Sequence, residues 1–350
     1  MPDMPPLLAE LVATLPLPTL AIDHSERIVA LNPLAQDLLG KGVVGQHFIT
    51  VLRQPTLVDA VEQCLADRMP RKAPFLSSTG SGDITYEVAL QKIAGTGTVI
   101  LSFQDVTHLA QAGQMRRDFV ANVSHELRTP LTSLMGFIET LRGPARDDAA
   151  ARERFLGIMT GEAERMNRLV GDLLSLSRVE AQERVRPTAK VDLRNVLHTT
   201  LRNLTPLADD NGVVLHHDRG DLPLMIRGDS DQLLQVFTNL IENAIKYGGS
   251  GQSVEVTATT SDRDPALRAP AVRIVVRDNG AGIDPLHLPR LTERFYRADS
   301  HRSRALGGTG LGLAIVKHIL NRHRGRMKIT SELGKGAEFC VILPLDTDTA

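Results

Sequence analysis

From Phe119 onward, apolar side chains recur at three- and four-residue steps: Phe119, Val123, Leu127, Leu131, Leu134, Ile138 and Leu141. That spacing predicts a long amphipathic helix. Gly143-Pro144 breaks it, because proline fits a loop or a first helical turn but not a helix interior. A second stripe follows at Phe155, Ile158, Met159, Met166, Leu169, Val170, Leu173 and Leu176. Two long helices joined by a short turn make an antiparallel hairpin. Each carries more apolar face than one partner helix covers, which predicts pairing with a second chain as a four-helix bundle; packing on the chain's own other domains is the alternative.

The pattern differs on either side. Before residue 107, strand-like runs (P-T-L-A-I-D, E-R-I-V-A-L, Y-E-V-A-L-Q-K-I, T-V-I-L-S-F) surround helical stretches at Pro33–Leu39 and Thr56–Arg68, with turns at Gly40, Gly42, Gly45 and over Ser77–Gly82. This is a small α+β domain of sensor size. After residue 187, helices alternate with S-V-E-V-T-A-T, V-R-I-V-V-R-D, R-M-K-I-T-S and E-F-C-V-I-L-P, which predicts an α/β sandwich. S-D-R-D-P, with Asp262, Asp264 and Pro265, reads as a hairpin tip, and D-T-D-T-A as a frayed tail. The expected multidomain α+β architecture is therefore 1–107, 108–183 and 187–345.

Composition narrows the function classes. At 350 residues the chain holds two or three domains, with globular apolar (42%) and charged (23%) contents. A net charge of -1, 3% aromatics and no Trp give neither an electrostatic nor a stacking argument for nucleic acid. Cys64 and Cys340 lie far apart and outside any C-x-x-C, so buried reduced thiols are expected. M-P-D-M-P-P lacks a signal peptide's basic region, and the apolar stretch Leu7–Ile22, with Glu10, Pro16 and Pro18, is too short to span a bilayer. A soluble, cytoplasmic chain without a transmembrane segment is the expectation.

The first helix carries unusual chemistry. F-V-A-N-V-S-H-E-L-R-T-P-L sets His125 beside Glu126, with Thr129 one turn on and Pro130 next. Pro130 deprives the Glu126 carbonyl of its helical partner, so a kink or loosened turn is expected beside the His. H-E-L-R-T is not H-E-x-x-H, so zinc-peptidase chemistry is not supported. A His on a helix is usually a surface or capping residue; a structural helix has no need of this grouping.

Several motifs in the last block point to a nucleotide. On D-Q-L-L-Q-V-F-T-N-L-I-E-N-A-I-K-Y-G, the residues Asn239, Asn243, Lys246 and Tyr247 share one polar face. An amide oxygen suits Mg²⁺ and a lysine one turn on reaches phosphate; a merely solvated face would not place two Asn in a helix interior. V-R-I-V-V-R-D-N-G-A-G-I ends a strand in Asp278, with Gly280 and Gly282 permitting close approach, so the carboxylate can accept from an adenine amino group. G-G-T-G-L-G-L-A-I-V-K-H-I places Gly308, Thr309, Gly310, Leu311 and Gly312 at the start of a helix, an anion site that is neither a Rossmann fingerprint nor a P-loop. E-R-F-Y-R-A-D-S-H-R-S-R-A-L between them reads as a basic lid, with Arg297 foremost for screening a γ-phosphate, or as an ordinary solvated loop.

Together these residues resemble the sensor histidine kinases of two-component signalling. H-E-L-R-T-P-L is similar to their H-box, N-L-I-E-N-A-I-K-Y to the N-box, D-N-G-A-G-I to the first glycine box, E-R-F-Y-R to the F-box, and G-T-G-L-G-L with G-K-G-A-E-F to the distal glycine boxes. The boxes follow in order over residues 110–345. The first block resembles a PAS sensor domain through its strand pattern and F-Q-D-V-T, and the long form around the His resembles the phosphate-regulon class. The resemblance implies a PAS-like α/β sensor, a dimerising hairpin and an ATP-binding sandwich of the histidine kinase/gyrase-like type. It implies that ATP and Mg²⁺ (at Asn243) phosphorylate His125 with Glu126 as base and Lys246 and Arg297 offsetting charge. Tyr247 then packs near the nucleotide, and Thr129 positions water for regulator dephosphorylation. It also implies a homodimer and a response regulator whose Asp takes the phosphoryl group.

Two departures stand out. Phosphate-regulon kinases usually carry a membrane segment before the PAS domain, absent here, so sensing inside the cytoplasm or membrane contact through a partner is expected. N-R-H-R-G-R has Arg324 where a second glycine is common. An ATPase of the wider nucleotide fold would explain the third block but leave His125 idle; a regulator-binding scaffold without net kinase activity is the other alternative.

Overall fold

The computed structural model describes residues 6–79, 82–218, 224–249, 251–298 and 308–346. It forms two compact units, Met1–Ala121 and Asn122–Ala350, whose boundary falls inside one long helix. The distal part of the lid sequence, 299–307, and the tail 347–350 lie outside the described residues.

The first unit is a five-stranded antiparallel sheet in the order β2-β1-β5-β4-β3. Its strands are β1 (Thr19–Ile22), β2 (Ile28–Leu31), β3 (Arg71–Thr79), β4 (Gly82–Lys92) and β5 (Val99–Asp105). Helices α2 (Pro33–Leu39), α3 (Phe48–Leu52) and α4 (Pro55–Asp67) lie in the chain between β2 and β3, and α1 (Pro6–Thr14) precedes β1. Alternate residues Val88 and Leu90, and Val99, Leu101 and Phe103, turn inward to meet Leu57, Val61 and Cys64 of α4, spaced at helical period. Asn32 caps α2 ahead of Pro33: its Oδ1 accepts from Ala35 and Thr19 N–H, and its Nδ2 donates to Leu15 and Leu17 carbonyls.

One strand escapes the sequence pattern. R-K-A-P-F-L-S-S-T contains Pro74 and runs into the Ser77–Gly82 cluster expected to be a turn, yet it forms β3. It sits at the sheet edge, where proline's missing donor is tolerated. Gln54 fastens it by accepting from Leu76 N–H at 2.9 Å and donating to Leu76 O at 2.7 Å.

Helix α5 (Thr107–Arg142), which enters the second unit at Asn122, and α6 (Ala149–Gln182) form the hairpin. Helix α5 stays helical through Pro130. Phe137 and Phe155 meet across the hairpin with ring centroids 5.2 Å apart, and Asp148 caps α6 through Ala151 N–H. Leu169, Leu176 and Val179 of α6 are buried, whereas Leu131, Met135, Ile138, Leu156, Ile158 and Leu174 remain exposed.

The rest is a sandwich. The mixed sheet β11-β12-β10-β9-β7 comprises β7 (Val214–Asp218), β9 (Ser253–Asp264), β10 (Ala269–Asp278), β11 (Arg326–Ser331) and β12 (Ala337–Pro344), with only β7–β9 parallel. Helices α7 (Leu193–Asp210), α8 (Ser230–Gly248) and α9 (Gly312–Arg322) supply its helical layer through Leu197, Leu201, Leu233, Phe237, Leu240 and Ile315. Strands β6 (Lys190–Asp192) and β8 (Met225–Arg227) pair separately. The β9–β10 tip begins after Asp264 rather than at Asp262, because Arg268 N–H closes on the Asp264 carbonyl and Arg273 holds the buried Asp264 carboxylate inside the strand pair. Arg324 adopts φ +55°, the left-handed conformation that a glycine would take more easily. Just before it, buried His323 joins α9 to α8: Nε2 accepts from Asp229 N–H at 2.9 Å and Nδ1 bonds the Ile319 carbonyl. Cys64 and Cys340 are buried free thiols. Among the described residues, no helix is long and apolar enough to cross a membrane.

Candidate nucleotide and phosphoacceptor site

Within the second unit, a cavity of about 650 Å³ opens where α8, the turn after β10, the segment before α9 and one face of α6 converge. Asn239, Asn243, Lys246 and Tyr247 line it from α8. They do so because steps of four, three and one residues keep them opposite the buried Leu240, Ala244 and Ile245. Lys246 Nζ lies 2.5 Å from Glu242 Oε1, one turn back, so Glu242 enters the wall with it.

Asp278 closes β10 with its side chain 5% exposed. Its Oδ1 accepts from Gly280 N–H at 3.0 Å and Ala337 N–H at 3.2 Å. Burial pushes its carboxyl above the usual carboxylate range, against the pull of those two bonds. Gly282 has φ +72°, and a β-carbon there would meet the Glu332 carbonyl oxygen at 2.1 Å. Only glycine lets the turn lie against residues 332–333, and Leu333 completes that wall. Gly310, at φ +74°, likewise lies where a β-carbon would come within 2.9 Å of the Phe295 backbone.

Gly308, Thr309, Gly310 and Gly312 line the cavity; Leu311 does not, its side chain being fully buried while its N–H donates to Thr309 Oγ1. Gly280 likewise does not line it, its N–H being given to Asp278 Oδ1. Arg297 lines the cavity with its side chain 7% exposed. Beside it, His287 Nδ1 lies 2.6 Å from Tyr296 Oη, and the Arg290 guanidinium stacks 4.2 Å over the Tyr296 ring.

The H-E-L-R-T-P segment of α5 lies outside this cavity. His125 is exposed, with no hydrogen bond or ion pair to its ring among the described residues. Thr129 is also exposed, its Oγ1 donating to the His125 carbonyl at 3.2 Å. Glu126 points about 100° around the helix from His125, as the next residue of a helix does. Its Oε2 accepts from Arg297 Nη2 and Arg165 Nη2, each at 2.9 Å.

Several of these residues have no counterpart in the motif reading. Glu242 was visible as the i−4 partner of Lys246. Asp172, Arg168 and Arg165 come from the second hairpin helix, whose polar positions carry no local signal for a site formed by tertiary contact. Asp172 Oδ2 accepts from Thr309 Oγ1 at 2.6 Å, and burial pushes its carboxyl above the usual range.

Comparison with known proteins shows the family. Residues 115–182 match the His Kinase A (phospho-acceptor) domain, and residues 228–347 the histidine kinase-, DNA gyrase B- and HSP90-like ATPase domain. The phosphate regulon sensor protein PhoR of Pseudomonas aeruginosa is 36% identical over 325 residues, covering 91% of this chain and 70% of that protein. A sensor protein kinase WalK of Staphylococcus aureus is 32% identical over 335 residues, covering 93% and 78%. The fold matches histidine kinase ThkA, solved in complex with response regulator protein TrrA, with a TM-score of 0.53 at 20% identity over 97% of this chain and 99% of that one. With a phosphoacceptor hairpin, an ATPase sandwich and relatives alike over nine-tenths of its length, the chain belongs to the ATP-dependent sensor histidine kinases and is PhoR-like among them.

Proposed function

We infer that this kinase moves the γ-phosphoryl group of Mg-ATP to His125 and then to an Asp of a response regulator, in phosphate-regulon-type signalling. The observation that carries the reading is the convergence of three separated motifs, on α8, after β10 and before α9, upon one cavity. Asp278 Oδ2 takes the adenine amino group, since Oδ1 is committed to backbone donors. Tyr247 lies beside the base, and the 308–312 segment with its helix N-terminus receives phosphates. Lys246 and Arg297 offset the charge of the transferring group.

Asn243 offers the amide oxygen that a hard cation accepts, and among the described residues no cluster of three acidic, His or Cys side chains competes for it. That fits Mg²⁺, held mainly by phosphates and water, whose contribution is to neutralise phosphate charge. A neutral imidazole nitrogen of His125 attacks the γ-phosphorus, the bond to the ADP oxygen breaks, and Glu126 takes the ring proton. The phosphoramidate then passes to the regulator's Asp, and Thr129 positions water when the kinase dephosphorylates that regulator.

The exposed apolar stripe at Leu131, Met135 and Ile138 supports a homodimer formed through residues 108–183, with residues 187–345 as the ATP-binding domain. Strand order 2-1-5-4-3, with three helices between β2 and β3, supports a PAS-like sensor over 1–107. Dependence on ATP and a response regulator favours the cytoplasm. Labelled ATP tests the reading: acid-labile, base-stable label on the protein, lost in His125→Gln, is expected. Hydrolysis without protein label would point to a plain ATPase.

A further inference from the structure

Two groups to which the proposed function gives phosphate work are already occupied, and both occupants are carboxylates of the chain's own hairpin. Arg297, the cation for the γ-phosphate, grips Glu126 of α5 through both terminal nitrogens, at 2.9 and 3.4 Å. Thr309, the hydroxyl of the glycine segment, donates to Asp172 of α6 at 2.6 Å. The two contacts come from different helices and reach different elements of the nucleotide cavity. A carboxylate presents the same negatively charged oxygen acceptors as a phosphate and binds the same donors.

Arg165 of α6, 14% exposed, fixes Glu126 from the hairpin side, so the carboxylate is aimed at Arg297 rather than left to swing toward His125. Asp172 lines the cavity itself, within the field of Glu242 and Lys246. A triphosphate entering there brings negative charge against it. Burial has already raised the carboxyl's pKa, which marks a charge held at a cost that withdrawal of the hairpin relieves.

We propose that Glu126 and Asp172 form a phosphate-mimicking latch, in which hairpin carboxylates occupy the phosphate donors Arg297 and Thr309 until ATP displaces them. The latch rests on the nucleotide site described above and adds a consequence for the reaction. The group that takes the proton from His125 is sequestered by the same arginine that needs the γ-phosphate, so release of the base is coupled to arrival of the substrate. ADP, lacking the γ-phosphate, leaves Glu126 on Arg297. The two ligands of Arg297 exclude one another, and their coupling is reciprocal.

The test is nucleotide titration by calorimetry on the full chain in a His125→Gln background, which blocks turnover, with Mg-ATP, Mg-ADP and adenosine as probes. Glu126→Gln should raise the preference for ATP over ADP by about fivefold or more, the scale of ordinary site-to-site coupling. Asp172→Asn, which keeps an acceptor for Thr309 but removes the charge, should tighten both nucleotides and leave adenosine unchanged. Glu162→Gln removes a neighbouring hairpin carboxylate, 3.8 Å from Arg165 and outside the latch, and should leave the ATP/ADP preference as it is. An unchanged preference in Glu126→Gln, or an equal rise in Glu162→Gln, overturns the latch. Asp278→Asn separates the two failures. If it leaves ATP affinity at the native value, the nucleotide reading of this cavity through Asp278 fails and the latch falls with it; if it weakens ATP binding while the latch variants change nothing, only the latch falls.

Discussion

Asp278→Asn isolates recognition from folding. In the native site Oδ1 takes two backbone N–H groups, from Gly280 and Ala337, which leaves Oδ2 as the second acceptor that the proposed function assigns to the adenine amino group. An amide has one acceptor and one donor. If its oxygen serves the backbone, its NH₂ meets the adenine amine donor to donor; if it is flipped, NH₂ meets two backbone donors. Folding survives in the first orientation, and the desolvated charge that burial disfavours is gone, so unfolding free energy should be unchanged or slightly higher. Recognition does not survive: a hydrogen bond to a charged group contributes about 1.5–3 kcal/mol, or roughly a 10- to 150-fold loss in ATP affinity. Asp278→Ala behaves differently, because two buried N–H groups lose their acceptor at about 1–3 kcal/mol each, a large part of a typical total stability. Calorimetric titration with Mg-ATP, paired with urea unfolding of each variant, reads both quantities. A folded Asp278→Asn kinase that binds ATP with native affinity would refute the assignment of Asp278 to adenine.

Three other parts of the fold carry expected outcomes of their own. His323 is buried neutral with Nε2 as an acceptor, so its folded pKa lies below the ordinary value near 6.5. The unfolded chain therefore takes up the proton first; this contribution is present above about pH 6.5 and is lost as pH falls toward the folded pKa. Urea midpoints measured between neutral and mildly acidic pH should fall less steeply in His323→Gln, and identical slopes would exclude His323 as the source. Gly282→Ala places a β-carbon against the Glu332 carbonyl oxygen at positive φ and should cost at least about 1–2 kcal/mol in unfolding free energy together with weaker ATP binding; native values for both would show that the turn yields freely. Leu131→Glu with Ile138→Glu puts charge on the exposed hairpin stripe and should shift sedimentation from dimer to monomer, while an unaltered dimer would move the interface elsewhere.

What is legible in the sequence alone divides along a physical line. Helix stripes and strand alternation are local, so Pro33–Leu39, the hairpin and most sheet strands are visible in the pattern. Strand β3 was hidden because a central proline argues against a strand unless its edge position is known, and edge position is a property of the sheet. Short elements such as β6, β8 and α3 carry too few residues for a period to show. The α8 face and the glycine turns were legible because their geometry lies within one element or one turn. Arg165 and Asp172 were not, since a polar residue on a helix acquires a partner only once the chain has folded against it.

The different directions of His125 and Glu126 have a mechanical consequence. Adjacent residues on α5 are offset by about 100°, so His125, the proposed nucleophile, faces solvent while Glu126, the proposed base, faces Arg297 of the ATPase sandwich. Helix α5 is continuous from Thr107 to Arg142, which makes it a stiff shaft. Torsion about its axis, with no sliding and no bending, is enough to withdraw one residue from its surroundings and advance the other. A rotation of α5 about its axis would therefore change the exposure of His125 and of Glu126 together, in opposite senses.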